Sequence, residues 1–280
     1  MDTLNLNDLD AYLLAQKGRI IHQVWFGTIP NKKEAKKTYD KFKIYRDSWK
    51  IKNPTWCHME WSKKLSEQIT KTFFPEHWDL YKKYPYEIQR CDMIRYFCLY
   101  RYGGIYADMD YYCSKSFDEA FTRFTNDFYL VNTPNVGSSY VSNSLMYSKP
   151  GHVFWRRLFL EMEMSQECPV YYSRHMIIMY TTGPGILTRV YNTNKIKDRL
   201  KSLPHKLFHP HGISDNIMSL RNDKVYAIHL GKGSWEKNDS KILIYFYKEW
   251  KFILFIVFIL IVPTLLCSLI VNNKSNNKNK

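Results

Sequence analysis

Two aspartates, Asp108 and Asp110, stand two residues apart at the end of the segment Arg90–Asp110, RCDMIRYFCLYRYGGIYADMD. On an extended strand, a spacing of two puts both carboxylates on one face. Carboxylates side by side repel unless a cation lies between them. Oxygen donors of this kind suit Mg²⁺ or Mn²⁺, ions that in turn hold a diphosphate. Asp92 and Arg95, three apart just upstream, share one helix face. They can pair with each other or aim polar atoms at a sugar. D-x-D alone is a common surface pattern. Here it follows an apolar helix, a Gly103-Gly104 stop and an apolar strand, which is a much narrower setting.

The elements that must position these groups follow from periodicity. Ile88, Cys91, Ile94, Cys98 and Tyr102 recur at helical spacing across Tyr86–Tyr102, and the Gly pair suits a left-handed stop. Ile105–Cys113, IYADMDYYC, then reads as one strand. Arg19–Gly27, RIIHQVWFG, reads as a buried first strand. Further strands are predicted at Asn53–Ser62, Phe128–Thr133, Val141–Tyr147 and Val225–Leu230. Helices are predicted at Ser66–Tyr84, Gly151–Met164 and Arg174–Tyr191, the last interrupted at Gly183-Pro184-Gly185. Residues 31–53 carry nine basic side chains against three acidic, with Ala35, Tyr39, Phe42 and Trp49 at helical spacing. They predict one amphipathic helix whose basic face is either simply solvated or drawn to anionic lipid. Strands alternating with helices indicate an α/β fold around a sheet.

The chain has 280 residues and a formal charge of +15, which points to an anionic partner: nucleic acid, an anionic membrane or a phosphorylated small molecule. Six Cys are too sparse for a disulfide scaffold, and with no C-x-x-C pair a structural zinc is not expected. No secretory or transit signal opens the sequence. Near the other end, Phe252–Val271, FILFIVFILIVPTLLCSLIV, is uncharged for about 20 residues, roughly 30 Å as a helix. Lys248, Lys251 and Lys274 flank it, and Tyr247 and Trp250 suit an interfacial belt. The expected organisation is a domain at 1–240, a juxtamembrane linker at 241–251, a transmembrane helix at 252–271 and a basic tail at 272–280. A C-terminal anchor with the domain facing the cytosol is the simplest topology, and glycosylation at Asn238 would overturn it.

Four blocks resemble glycosyltransferase family 32, retaining sugar transferases with a D-x-D metal site, and more distantly the glucosylating domains of large clostridial toxins. They are IIHQVWFG (Ile20–Gly27), the Arg90–Asp110 segment, SNSLMYSKPGHVFW (Ser142–Trp155) and HLGKGSW (His229–Trp235). Cys91 departs from the Ser or Ala the family prefers before the aspartate. The resemblance implies a single GT-A-like domain with a mostly parallel mixed sheet. It also implies Mn²⁺ or Mg²⁺ on Asp108 and Asp110, completed by His229. Trp25 would stack on the nucleotide base, and Asp92, Arg95 and Asn143 would face the donor sugar. Ser234 and Trp235 would close over the diphosphate. The nearest subgroup transfers mannose to inositol phosphoceramide. A GDP-mannose donor is therefore favoured over a UDP-sugar, with a lipid-linked or glycan acceptor. No nucleophilic carboxylate stands out, so same-face attack is favoured over double displacement.

Other chemistries lack their signatures. G-x-x-x-x-G-K-[ST], G-x-S-x-G, H-E-x-x-H and G-x-G-x-x-G are all absent. A nucleic-acid-binding protein would need a recognisable module beside the lysines, and none accompanies them. A non-catalytic sugar-binding protein would not need the Asp108/Asp110/His229 set.

Overall fold

The computed structural model describes residues 5–27, 31–133, 140–193, 200–209, 224–231, 238–242, 245 and 249. Two compact units emerge, Met1–Tyr172 with Met176–Gly233, and Ser173–His175 with Ser234–Lys280. Of the second, 238–242 is helical, and Asp239 accepts a hydrogen bond from the His175 backbone N–H at 2.7 Å.

The first unit is an α/β structure on a mixed six-stranded sheet ordered β2-β1-β3-β6-β5-β7. Its strands are β1 (Ile20–Val24), β2 (Cys57–Trp61), β3 (Gly104–Ala107), β5 (Phe128–Asn132), β6 (Val141–Ser148) and β7 (Lys201–Leu203). β1 runs parallel to both β2 and β3; β6 runs antiparallel to β3 and β5; β7 is parallel to β5. One strand of six is thus reversed. The chain crosses from β1 to β2 through α2 (Lys32–Lys41) and α3 (Lys43–Lys52). It returns to β3, on β1's other side, through α4 (Lys63–Phe73), α5 (Trp78–Lys83) and α6 (Glu87–Tyr102). The strand order therefore switches at β1. The crevice beyond the carboxyl ends of strands at such a switch is where open α/β sheets bind ligands.

Side-chain alternation sorts the sheet into two buried faces. Ile20, Tyr106, Leu130 and Met146 face a core with α6 and α8 (Val153–Met164). Ile21, Ile105, Tyr129 and Leu145 face a second core with Trp49 of α3 and Phe117 of α7 (Phe117–Arg123). α6 is buried on nearly every side, with Ile94, Tyr96, Phe97 and Leu99 fully enclosed. A helix so placed needs little amphipathicity.

Three predicted elements come out divided. Ile105–Cys113 is two strands, β3 and β4 (Tyr111–Cys113), and β4 pairs with β8 (Ala227–His229) in a separate two-stranded sheet. The Asp108 N–H donates to Ser144 O, and the Tyr111 N–H to Asp108 O at 3.1 Å, so Asp108–Asp110 forms a turn between sheets. The basic helix breaks at Phe42 (φ −86°, ψ 0°) into α2 and α3. Ser66–Tyr84 is interrupted at Pro75, which opens a short 3₁₀ turn before α5; proline cannot donate inside a helix. α1 (Leu6–Ala15), α7, β7 and α11 (His205–Phe208) were not anticipated. Among the described residues no helix is long and apolar enough to cross a membrane. The predicted span at 252–271 lies outside the described residues.

Gly103 and Gly104 set the angle at which α6 delivers the chain to β3. Both have positive φ, 67° and 98°. A Cβ on Gly104 would sit 2.3 Å from the Ile20 carbonyl oxygen. His22 ties the same corner. It is fully buried, with Nε2 2.8 Å from Gly103 O and Nδ1 accepting from Trp61 Nε1 at 3.1 Å. Burial lowers its pKa to about 4, so it sits there neutral. Gly104→Ala should destabilise the protein by about 2 kcal/mol or more, because strain and backbone collision add. Gly151, with φ 70° and nothing within 4 Å of a Cβ, should lose only about 1 kcal/mol on the same change. Urea unfolding of the two variants checks the contrast.

Candidate active site

The turn after β3 brings together residues that lie about 120 positions apart in the sequence. Ligand atoms of Asp108, Asp110 and His229 all lie within 4.8 Å of one another. His229 arrives by strand pairing: it sits opposite Tyr111 in the β4–β8 ladder, and its ring stacks on Tyr111 at 4.5 Å and 8°. The Leu230 N–H donates to Asp110 O, closing the same junction. His229 Nε2 stands 3.1 Å from Asp110 Oδ1. Burial works against an imidazolium there, but the Asp110 carboxylate outweighs it and holds the His229 pKa above its ordinary value.

Asp108 is gripped from below. Arg95 NH1 donates to Asp108 Oδ1 at 3.0 Å and to Asn143 O at 2.9 Å, while NH2 lies 3.0 Å from Asp92 Oδ1. The Tyr106 hydroxyl donates to Asp108 Oδ1 at 2.6 Å. Asp92 is held by Asn143 Nδ2 (3.0 Å) and by the Thr182 hydroxyl (3.0 Å). Asp92, Arg95 and Asn143 are buried, so their first partners are one another. Burial raises Asp92 to about 7 despite the pull of Arg95, and raises Asp108 as well, with Asp110 adding to the push.

Charge then tests the cation reading. With all three ionised, the carboxylates and the one guanidinium leave two negative charges, and His229 answers the Asp110 carboxylate by holding its proton more tightly than a free imidazole. A site of two carboxylate oxygens and one imidazole nitrogen fits a divalent hard or borderline cation.

Trp25 follows β1, and its backbone N–H extends the β1–β2 ladder to Trp61 O. Its half-buried ring packs against Tyr39 (5.8 Å) and, edge-on, Phe42 (5.9 Å). These belong to a small cluster with Tyr45, Met109 and Leu230. Met109 lies between the two aspartates and Leu230 follows His229, so Trp25 is placed beside the acidic turn. Ser234 and Trp235 lie outside the described residues.

Three residues, Thr182 among them, escaped the sequence reading. His209 Nε2 is 2.9 Å from His229 Nδ1, and burial lowers its pKa to about 3. Nothing local in the sequence marks it, because it reaches His229 through tertiary packing. Tyr106 was legible in principle, being two residues before Asp108 on an expected strand.

The family pattern "Glycosyltransferase sugar-binding region containing DXD motif" matches residues 40–126. Inositol phosphoceramide mannosyltransferase 2 of Schizosaccharomyces pombe is 27% identical over 242 residues, 86% of this chain and 64% of that protein. The chain thus spans slightly less than two thirds of that relative. An uncharacterized glycosyltransferase of Acanthamoeba polyphaga mimivirus is 26% identical, covering 85% of this chain and 90% of the viral protein. The solved PaToxG glycosyltransferase overlaps 66% of this chain and 74% of its own, at 14% identity and a TM-score of 0.43. The chain is thus similar, over residues 40–126, to the DXD-containing glycosyltransferases, and over most of its length to an inositol phosphoceramide mannosyltransferase.

Proposed function

We propose that this protein is a metal-dependent, retaining glycosyltransferase of GT-A-like fold. It moves a hexose, mannose favoured, from a nucleotide-diphosphate sugar to a lipid-linked or glycan acceptor at a membrane. The observation that carries this reading is the convergence of Asp108 and Asp110, on the turn that joins the two sheets, with His229 of β8. The apolar run at 252–271 supports the membrane, as a single C-terminal anchor with the domain on the cytosolic side. The relative named for inositol phosphoceramide supports mannose and a lipid acceptor. GDP-mannose is the favoured donor and a UDP-sugar the alternative.

Asp108, Asp110 and His229 would hold Mn²⁺ or Mg²⁺, which when bound would supply Lewis-acid neutralisation of the leaving diphosphate. The chain's own residues do the rest by placement. Arg95 and Tyr106 fix one Asp108 oxygen and leave the other free to turn toward a ligand. Asp92 and Asn143 fix Arg95 and stand on the side assigned to the donor sugar. Trp25 offers a ring face to the base, braced by Tyr39 and Phe42. Ser234 and Trp235 are assigned to the diphosphate. Same-face attack is the assigned route to retention.

A panel of GDP- and UDP-sugars, given to the full chain with and without Mn²⁺, tests the reading. Metal-dependent transfer or slow hydrolysis of one donor is expected, falling about 100-fold or more in Asp110→Asn. Equal turnover in that variant would reject the site.

His209 has its own expected role. For His229 to present the Nε2 lone pair, its Nδ1 must carry the proton and donate it to His209 Nε2. His209→Ala should weaken Mn²⁺ binding, read by electron paramagnetic resonance, about 10- to 100-fold. Unchanged affinity would show that His209 only packs.

A further inference from the structure

The lysines of the most basic stretch of the chain are not used by the site just described, and the stretch is not evenly hydrophilic. α3 turns Tyr45, Ser48 and Trp49 inward. Trp49 Nε1 donates to Tyr111 O at 2.9 Å, and Tyr45 packs in the cluster with Met109 and Leu230. The opposite face carries Ile44 and Ile51, 61% and 71% exposed. They are seven residues apart, so they lie one above the other on a helix. Lys43, Lys50 and Lys52 are exposed around them. Asp47, on the same side, is bound to Lys43 at 2.5 Å, which leaves little free negative charge among the isoleucines. Alongside runs an open groove of about 520 Å³ whose lining includes Lys41, Lys43, Ile44, Ile51 and Lys52 together with Asp40 and Asp47, so lysines outnumber carboxylates three to two. α2 adds exposed Lys33, Lys36 and Lys37.

A merely solvated face has no need of two exposed isoleucines in line. A nucleic-acid face would pair its lysines with aromatic or hydrogen-bonding side chains rather than branched aliphatics. Aliphatic side chains ringed by lysine match one surface in both respects, the headgroup boundary of an anionic bilayer. We propose that the outer face of α3, backed by the lysines of α2, docks on anionic phospholipid, with Ile44 and Ile51 entering the headgroup layer. Because the inner face of the same helix touches Tyr111 and the Met109–Leu230 cluster, docking holds the acidic turn about one helix diameter, ~10 Å, from the lipid surface. An acceptor whose reactive group projects from the bilayer is then within reach. This docking does not depend on the sugar chemistry and stands or falls separately from it.

Amine footprinting of the full chain in nanodiscs tests it without relying on activity. Acetylation of Lys43, Lys50 and Lys52 is followed by mass spectrometry in phosphatidylcholine discs and in discs that also contain phosphatidylserine. Lys64, exposed on α4 in the opposite layer, is the internal control. The expected result is acetylation at least about fivefold slower at the α3 lysines in the anionic discs only, reversed by high salt, with Lys64 unchanged. Ile44→Ser with Ile51→Ser, both surface changes, should return most of the reactivity in anionic discs. Equal rates in both discs, protection in neutral discs that resists salt, or indifference to the double variant would each overturn the proposal. Equal protection by an oligonucleotide in the absence of lipid would overturn it in favour of a general polyanion site.

Discussion

Three carboxylates and one guanidinium meet at the carboxyl end of β3, and the two negative charges they leave are the constraint around which the unit is arranged. Arg95 answers one of them through direct contacts to Asp92 and Asp108 near 3.0 Å. His229 leans on Asp110, and the proximity of that carboxylate raises the pKa of its imidazole against the effect of burial. Burial makes charge of this density expensive unless it is paired. A turn carrying Asp108 and Asp110 is therefore tenable in the interior only because α6, β6 and β8 all deliver partners to it.

That requirement explains features that look unrelated. α6 must be rigid and enclosed, because it carries both Asp92 and Arg95. The Gly103-Gly104 corner must bend sharply, because β3 has to leave α6 and lie against β1 with no room for a Cβ at Gly104. β6 runs against its neighbours, which brings Asn143 and Ser144 alongside the acidic turn, where the Asn143 carbonyl accepts from Arg95 and the Ser144 carbonyl from the Asp108 N–H. The second sheet exists as a single pair, β4 with β8, and that pairing places His229 over Tyr111.

Much of this was legible in the residues. The helix over 86–102, its glycine stop and the alternating strands followed from periodicity and glycine chemistry. The acidic pair announced a cation site, and His229 entered through family resemblance. The strand reading of Ile105–Cys113 rested on one face for both carboxylates. The chain instead changes sheets between them, and the two groups converge through a turn. Local pattern could not reveal that, since β-branched and aromatic residues continue on both sides. The break at Phe42 was hidden for a similar reason, because the apolar spacing runs through it. His209 and Thr182 are tertiary partners, distant in sequence from the groups they hold, and no spacing rule reaches them.

The account turns on one claim, that the turn between the two sheets and the end of β8 form one divalent-cation site. Crystals grown with Mn²⁺ and a nucleoside diphosphate, measured at the manganese absorption edge, address it directly. The account predicts a single strong anomalous peak within bonding distance of Asp108, Asp110 and His229, about 2.0–2.3 Å from their donor atoms. A peak elsewhere, or a fully ordered diphosphate with no peak at the turn, would contradict it.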